Sequence, residues 1–170
     1  MQHRALFIAL AVTAWIASGC ASTPDESVSP PETVLPAFPT TENLLPFAVS
    51  ATSENSFLVD TASIDVVPDR DVQLTLVVRS PGGAETVTRE AIHCQTAEYR
   101  ILAIGRRDDT WKRLDNPPWR RIEEGGLNRH RAALALEYVC EGPASVVDAA
   151  SALAALRDRR HLKHGIDKAP

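Results

Sequence analysis

The sequence predicts an α+β domain: a small antiparallel β-sheet of about six strands in meander order, a C-terminal helix packed on one face, and one disulfide bond. Apolar residues recur at every second position in several short runs between residues 56 and 122, which is the pattern of half-buried strands. Turn-forming Pro, Gly, Asn and Asp residues separate these runs at spacings of roughly ten residues. Near the C-terminus the apolar spacing changes to that of a helix.

The clearest strand covers residues 72–79. Leu74 and Leu76 fall on one of its faces, because successive side chains of a strand point to opposite faces. The Ser-Pro-Gly-Gly sequence of residues 80–83 favours a tight turn, since Pro presets φ and Gly tolerates positive φ. We therefore expect a hairpin whose return strand lies within residues 84–94.

Further strands precede and follow this hairpin. Residues 57–59 and 64–67 form an apolar run before it, and residues 99–105 alternate after it. Short strands begin at Trp111 and at Trp119, after polar turns. Strands this short and evenly spaced favour an antiparallel meander.

Residues 131–140 are ambiguous between strand and helix. Leu134, Leu136, Tyr138 and Cys140 lie at spacing two, which favours a strand. The Ala-rich composition favours a helix. The interpretation adopted here is the strand.

A helix is predicted over residues 144–160, after a Gly-Pro pair. Ser145 and Asp148 have the spacing of a capping box with the shorter acid. The helix is expected to bury one apolar stripe on the sheet, formed by Val146, Ala149, Ala150, Leu153 and Leu156. Residues 161–170 are interpreted as a basic, frayed tail.

Length and charge point to one domain with less ordered flanks. A chain of 170 residues with 44% hydrophobic residues can bury a single core. Although the net charge is −4, no Lys or Arg lies between Arg4 and Arg70. The Pro-rich, acidic segment of residues 20–53 cannot bury enough apolar surface to order itself, so it predicts a tether, and residues 54–160 form the globular domain. Residues 44–47 (Leu-Leu-Pro-Phe) are more apolar and are a candidate for docking on the domain, which leaves the boundary open.

The N-terminus has the pattern of a bacterial export signal. Residues 1–19 combine the positive charge of Arg4 with an apolar run that is too short to span a membrane and ends in small residues. The Ala-Ser-Gly-Cys sequence of residues 17–20 resembles the lipobox of bacterial lipoproteins. That resemblance implies cleavage before Cys20, acylation of Cys20 and, because Ala21 follows, anchoring in the outer membrane.

The remaining cysteines predict one disulfide bond. If Cys20 is acylated, Cys94 and Cys140 are left as an even pair in an oxidising compartment, where disulfides form and persist. Two free thiols are the alternative.

Short motifs between residues 45 and 142 carry a family resemblance. In chain order they are residues 57–60 (Phe-Leu-Val-Asp), residues 63–64 (Ser-Ile), residues 90–94 (Glu-Ala-Ile-His-Cys), Trp111, Trp119 and residues 138–140 (Tyr-Val-Cys). Their order resembles the cryptic neisserial protein-like family of proteobacterial periplasmic proteins and lipoproteins. The resemblance implies export and a small Cys-bridged domain, and it implies no particular enzymatic activity.

A looser similarity links the chain to the surface-adhesin protein E-like lipoproteins. It rests on residues 59–64, Cys94, the Trp-Arg-Arg-Ile sequence of residues 119–122, and Cys140. Those proteins are antiparallel sheets with a helix on one face, so the similarity implies the same fold.

The residues present no catalytic or metal-binding constellation. His93 and Cys94 are neighbours on a predicted strand and therefore point to opposite faces, and the expected disulfide occupies Cys94. His161 and His164 lie three residues apart without a third ligand of that type nearby. We expect no catalysis, no metal and no cofactor.

Trp111, Trp119, Arg120 and Arg121 form a candidate partner surface. Trp and Arg are enriched at the energetic centres of protein interfaces, although core packing also explains the two rings. Basic segments with aromatic residues also suit nucleic acid, but a protein tethered outside the cytoplasm meets envelope proteins and anionic envelope polymers instead.

The sequence therefore predicts a lipoprotein of the outer membrane, on its periplasmic side, that acts as a binding module of the cell envelope. One alternative is a structural envelope lipoprotein without a discrete ligand. Another is a surface-exposed adhesin.

Overall fold

A seven-stranded antiparallel sheet forms the centre of the protein. The computed structural model describes residues 34–50, 52–67, 71–146 and 148–166, without the side chains of Leu127 and residues 159–166. The predicted signal peptide, Cys20 and residues 20–33 of the predicted tether lie outside the described residues. The strands are β1 (Leu44–Pro46), β2 (Ser56–Val66), β3 (Val72–Arg79), β4 (Glu85–His93), β5 (Glu98–Gly105), β6 (Trp111–Arg113) and β7 (Arg120–Arg121).

The strands follow a meander. Each strand from β1 to β6 pairs antiparallel with the next, and β7 returns to pair with the first residues of β5 beside β6. The turn between β3 and β4 closes through Gly83, whose φ of +81° is a conformation that glycine adopts without a Cβ penalty. The predicted antiparallel sheet in meander order, with its C-terminal helix and its disulfide bond, is confirmed.

One face of the sheet is covered by helices. These are α1 (Arg129–Leu134), a π-helical turn (Ala135–Val139) that continues it, and α2 (Ala149–Ile166). The core between helices and sheet contains side chains with at most 1% exposure, namely Val59, Val72, Leu74, Leu76, Ile92, Leu134, Val139, Ala152 and Leu156. Leu74 and Leu76, the alternating residues that predicted β3, thus lie in this core.

The middle of β2 contains a register irregularity between Asp60 and Asp65. The Ser63 hydroxyl bridges it by donating to the Asp60 carbonyl (2.7 Å) and accepting from the Thr75 amide (2.8 Å). Because backbone groups in a buried strand need partners, this hydroxyl replaces the ladder bonds that the irregularity interrupts.

Packing on the domain begins before residue 54, the boundary that the proline content predicted. Residues 44–46 form the edge strand β1, and Leu45 and Phe47 are buried in the core. Proline is tolerated here because an edge strand need not donate every backbone hydrogen bond. The apolar side chains of residues 44–47, the part of the segment that the sequence marks as a candidate for docking on the domain, supply this packing.

The predicted strand over residues 131–140 is wrong, because this segment is helical until Val139 and only Cys140 and Glu141 form a short strand, β8. Leu134 and Tyr138 lie in the core, whereas Leu136 is 63% exposed. In a strand all three side chains would lie on one face. The helical geometry instead places Leu136 on a different face from Leu134 and Tyr138.

The C-terminal helix begins at Ala149, and not at residue 144. Residues 144–145 form β9, which pairs with β8 around Gly142 at a φ of +65°. Asp148 alone caps the helix: its Oδ1 accepts from the Ser151 amide at 2.7 Å, and this bond lowers the pKa of Asp148.

The buried stripe of α2 also differs from the prediction, and Val146 is buried before the helix begins. Ala150 is exposed, while Ala152 and Leu156 are fully buried at the spacing of one helical turn. The helix continues to Ile166, so residues 161–166 are not a frayed tail. Residues 167–170 lie outside the described part of the chain.

Candidate functional site

The fold separates the residues of the predicted partner surface. Trp111 pairs with Gly105 at one end of β5, whereas Arg120, next to Trp119, pairs with Tyr99 at the other end. Six residues of extended strand correspond to roughly 20 Å. The two tryptophans therefore belong to two different surfaces.

Trp111 contacts the N-terminal segment of the domain. Its Nε1 donates to the Pro36 carbonyl at 3.0 Å, and its ring lies 5.2 Å from that of Phe38. Phe38 and Trp111 pack on a small apolar cluster of Leu58, Val77 and Val87, on the face of the sheet opposite the helices. The described contacts of Trp111 thus hold residues 36–38 on this second face.

Trp119 lies at the opposite end of β5, half-buried on the same second face. The Arg100 guanidinium carbon lies 4.3 Å from the centre of its ring, which is cation–π distance. The centre of the His93 ring lies 5.7 Å from the centre of the Trp119 ring. Arg100 is also 3.7 Å from the Asp71 carboxylate, so its charge is partly compensated.

Arg120 and Arg121 are both exposed, and as neighbours on a strand they point to opposite sides of β7. Arg121 pairs with Glu98, the cross-strand partner of His93, so it shares the face of Trp119, whereas Arg120 shares the face of Tyr99. Trp119, Arg121, Arg100 and His93 are named here the Trp119 surface. Sequence reasoning missed Arg100 and His93. The alternation of β4 and β5 contains the necessary signal, but only the register Ala91↔Arg100 and His93↔Glu98 brings the two side chains together.

A polar group borders the Trp119 surface. The Thr96 hydroxyl donates to Glu98 Oε2 at 2.7 Å and lies 3.2 Å from His93 Nδ1. Because this hydroxyl donates its proton to the carboxylate, it is not aligned for proton transfer to the imidazole. The contact with Thr96 orients the His93 ring beside Trp119.

The disulfide predicted between Cys94 and Cys140 is confirmed, with 5.6 Å between the two Cα atoms. Cys94 follows β4, and Cys140 directly follows the π-helical turn. The bond therefore joins the end of the helical segment to the sheet. Among the described residues, no cluster of three or more His, Cys, Asp or Glu side chains is placed to hold a metal ion.

A buried ion pair joins the start of the same helical segment to the sheet. Glu90 is 1% exposed and accepts hydrogen bonds from Arg131 Nε at 2.7 Å and Nη2 at 2.6 Å. Burial acts to lower the pKa of Arg131, but hydrogen bonding to Glu90 and the charge of that carboxylate together raise it. Thr88 donates a further bond to Glu90, which leaves the carboxylate well satisfied.

A second buried charge lies on the opposite face. Arg89 donates to the Ser63 carbonyl and, at 3.5 Å, to Gln73 Oε1. Burial lowers the pKa of Arg89 to about 10, against the opposing attraction of Asp65 and Asp60. Burial likewise raises the pKa of Asp60. Arg89 and Asp60, each 3% exposed, are closed to solvent beside the irregular part of β2.

The family-model comparison matches residues 25–157 to the CNP1-like family. This range includes all seven strands of the sheet, both bridged cysteines and the Trp119 surface. The chain belongs to the CNP1-like family. No curated protein and no solved structure matches the chain, so the similarity to the surface-adhesin protein E-like lipoproteins is not confirmed.

This CNP1-like protein also contains a cleft that sequence reasoning missed. A cavity of about 510 Å³ lies between the loop before β2 and the start of α1, lined by Val49, Ser50, Asn55, Phe57, Val78 and Arg129 among others. Val78 and Val72 are at opposite ends of β3, and Val72 pairs with Ile92 beside His93, so the cleft is far from the Trp119 surface. The cleft forms where the paired Phe57 and Val78 meet the loop before β2 and the start of α1, and no local sequence motif predicts it.

No helix within the described residues is both long enough and apolar enough to cross a membrane. For this CNP1-like protein, function must be argued from its sites, since a fold can host many functions.

Proposed function

We propose that this CNP1-like protein is a lipoprotein, anchored in the outer membrane through Cys20, that acts on the periplasmic side as a binding module. It works by interaction and not by catalysis. Its partner is an anionic polymer of the envelope or an envelope protein with an acidic surface.

The observation that carries this proposal is the arrangement of the Trp119 surface. A half-exposed Trp ring is held by the Arg100 guanidinium at 4.3 Å and by the His93 ring, on the same face as the exposed Arg121. Trp and Arg dominate the energetics of protein interfaces, and a ring held in place before binding loses little entropy on binding. The cationic neighbours make an acidic partner the best match.

Export is supported by the disulfide bond. Disulfides persist in oxidising compartments such as the periplasm and are rare in the cytosol. The N-terminal pattern that ends at Cys20 supports acylation. Stable anchoring follows from two or three acyl chains, because a single chain binds a membrane only marginally.

The binding proposal is tested by crosslinking and capture from native envelopes. We expect the wild-type lipoprotein to capture a reproducible partner, and we expect Trp119→Ala and Arg121→Ala to reduce that capture at least about tenfold. Lys112→Ala is the matched control, because Lys112 is an exposed base at the other end of β5. Capture that both variants retain would contradict the Trp119 surface, and the absence of any reproducible crosslink would favour a structural lipoprotein.

The anchor is tested by the intact mass of the protein isolated from its native envelope. A chain that begins at Cys20, has added acyl mass and releases two thiols only on reduction is the expected result. A soluble chain without acyl mass contradicts the anchoring proposal without affecting the Trp119 surface.

A further inference from the structure

The cleft between the loop before β2 and α1 has an apolar floor. Phe57 and Val78 are cross-strand partners at the end of the sheet, and Val49 closes the cavity from the loop. The His130 ring stacks on the Phe57 ring, with 5.2 Å between the centroids and 14° between the planes. Both of these stacked rings belong to residues that line the cavity.

The rim of the cleft is polar and contains one strong cation. Arg129 is exposed, and its described hydrogen bond is a long one of 3.5 Å to the Ser50 hydroxyl. No described carboxylate lies within ion-pair distance of Arg129, and none of the described residues that line the cavity is acidic. By contrast, the exposed Arg79 is paired with Glu85 at 2.6 Å. The guanidinium at the cleft is therefore available to an anion from solution.

The dimensions fit a small molecule. A volume of about 510 Å³ lies within the range of roughly 300–1,000 Å³ that is usual for small-molecule sites. Such sites combine a mostly apolar wall with a few polar groups that fix the orientation of the ligand. Arg129, the Ser50 hydroxyl and the Asn55 amide are the polar groups here.

We infer that this cleft binds a small amphipathic anion, whose planar or short apolar body lies against Phe57 and Val78 and whose carboxylate or similar group meets Arg129. The fork of N–H donors on a guanidinium matches a carboxylate in geometry and charge. The ligand is a free small molecule and not a membrane surface. This inference does not depend on the partner proposed for the Trp119 surface.

The test is a titration of the purified, full lipoprotein in neutral-detergent micelles, followed by amide NMR shifts. The probe is 1-naphthoate, and the uncharged 1-naphthamide reports how the ring alone partitions. We expect saturable shifts at Val49, Phe57 and Val78 with 1-naphthoate and much weaker binding of 1-naphthamide.

Three variants assign the binding to the cleft. Arg129→Gln is expected to raise the dissociation constant about tenfold, because it removes a charge-assisted bond. Asn55→Asp is expected to weaken binding severalfold, because it adds a negative charge at the rim without changing the shape. Arg121→Gln is the matched control, an exposed arginine on the Trp119 surface, and should leave the affinity unchanged.

Several results would overturn the inference. They are no response to 1-naphthoate, equal affinity for the uncharged amide, or an affinity that Arg129→Gln leaves unaltered. Association only with phosphatidylglycerol vesicles would also overturn it, because the occupant would then be a lipid surface. None of these results bears on capture by the Trp119 surface.

Discussion

Arg131 of α1 donates two hydrogen bonds, from Nε and Nη2, to the two carboxylate oxygens of Glu90 on β4. Its guanidinium carbon also lies 4.2 Å from the centre of the Tyr99 ring. The side chains of the pair are 11% and 1% exposed. A pair this well buried is replaced at little loss by apolar residues, but the removal of one partner leaves a charge without compensation.

Arg131→Met is therefore expected to destabilise the protein by about 3 kcal/mol or more, because the Glu90 carboxylate then lacks its cation. Glu90→Leu combined with Arg131→Met should recover most of that loss, since the apolar pair leaves no buried charge. Urea unfolding of the two single variants and the double variant measures the coupling.

The control for this cycle is the exposed pair of Arg79 and Glu85. Its side chains are about equally close, at 2.6 Å, but they are 40% and 41% exposed. Alanine at either position should change the free energy of unfolding by less than about 1 kcal/mol. Equal losses for the buried and the exposed pair would contradict the role assigned to burial.

Gly105→Ala should loosen the N-terminal segment. A Cβ at Gly105 would lie 2.7 Å from the Val87 Cβ and 3.0 Å from the Phe38 ring, so the backbone or the ring must move. Overpacking of this kind costs about 1–3 kcal/mol. We expect lower stability in urea together with faster proteolysis within residues 34–43.

Gly125→Ala is the matched control, because a Cβ there has no neighbour within 4 Å and the φ is −101°. Gly125→Ala should change the free energy of unfolding by no more than about 0.5 kcal/mol. If Gly105→Ala is equally mild, the Phe38 segment does not depend on close contact with β5.

Asp60→Asn should change the pH dependence of stability. Burial raises the pKa of Asp60 above its ordinary value of 3.8, so the folded state holds this proton more tightly than the unfolded state. The contribution of Asp60 to stability then declines as the pH rises from 3.8 through the raised pKa. The stability of Asp60→Asn relative to wild type must therefore increase across that window.

Asp108→Asn should change the pH dependence of stability in the opposite direction. The Thr110 hydroxyl lowers the pKa of Asp108, so its ionised form stabilises the folded state above the unfolded pKa and that contribution is lost on acidification. Urea unfolding at several pH values should give slopes of opposite direction for the two variants. Parallel slopes would contradict the burial of charge at Asp60.

Loss of the disulfide should lower stability by up to about 4 kcal/mol, the chain-entropy figure for a loop of this length. The bridged residues are separated by 46 positions in the sequence. Unfolding of the wild type with and without reductant, compared with a Cys94→Ala/Cys140→Ala double variant, measures the effect. Identical midpoints in all three samples would contradict a stabilising role.

The meander was predictable because its signals are local. Strong alternation, as in β3, and the turn at residues 80–83 depend on neighbouring residues alone. The disulfide was predictable because only two cysteines remain once Cys20 is set aside. These features need no knowledge of distant contacts.

The wrong predictions concern segments whose conformation depends on contacts with residues far away in the sequence. Leu134, Leu136 and Tyr138 satisfy the spacing of a strand, and the helical choice is stabilised by Arg131 reaching Glu90, which is 41 residues away in the sequence. The Trp119 surface and the cleft depend on strand register in the same way. Register is a property of paired strands, so no single segment contains it.

The helical segment of residues 129–139 is fixed at both ends, by Arg131 near its start and by Cys140 just beyond its end. Local opening of this segment lets its backbone amides exchange with solvent. Such opening must break the buried ion pair at one end of the segment, while the covalent disulfide bond keeps the other end attached to the sheet. Oxidised protein should exchange these amides only when the whole domain unfolds. Reduction removes one attachment, so the residues near Val139 should then exchange through a smaller opening, while those near Arg131 remain protected.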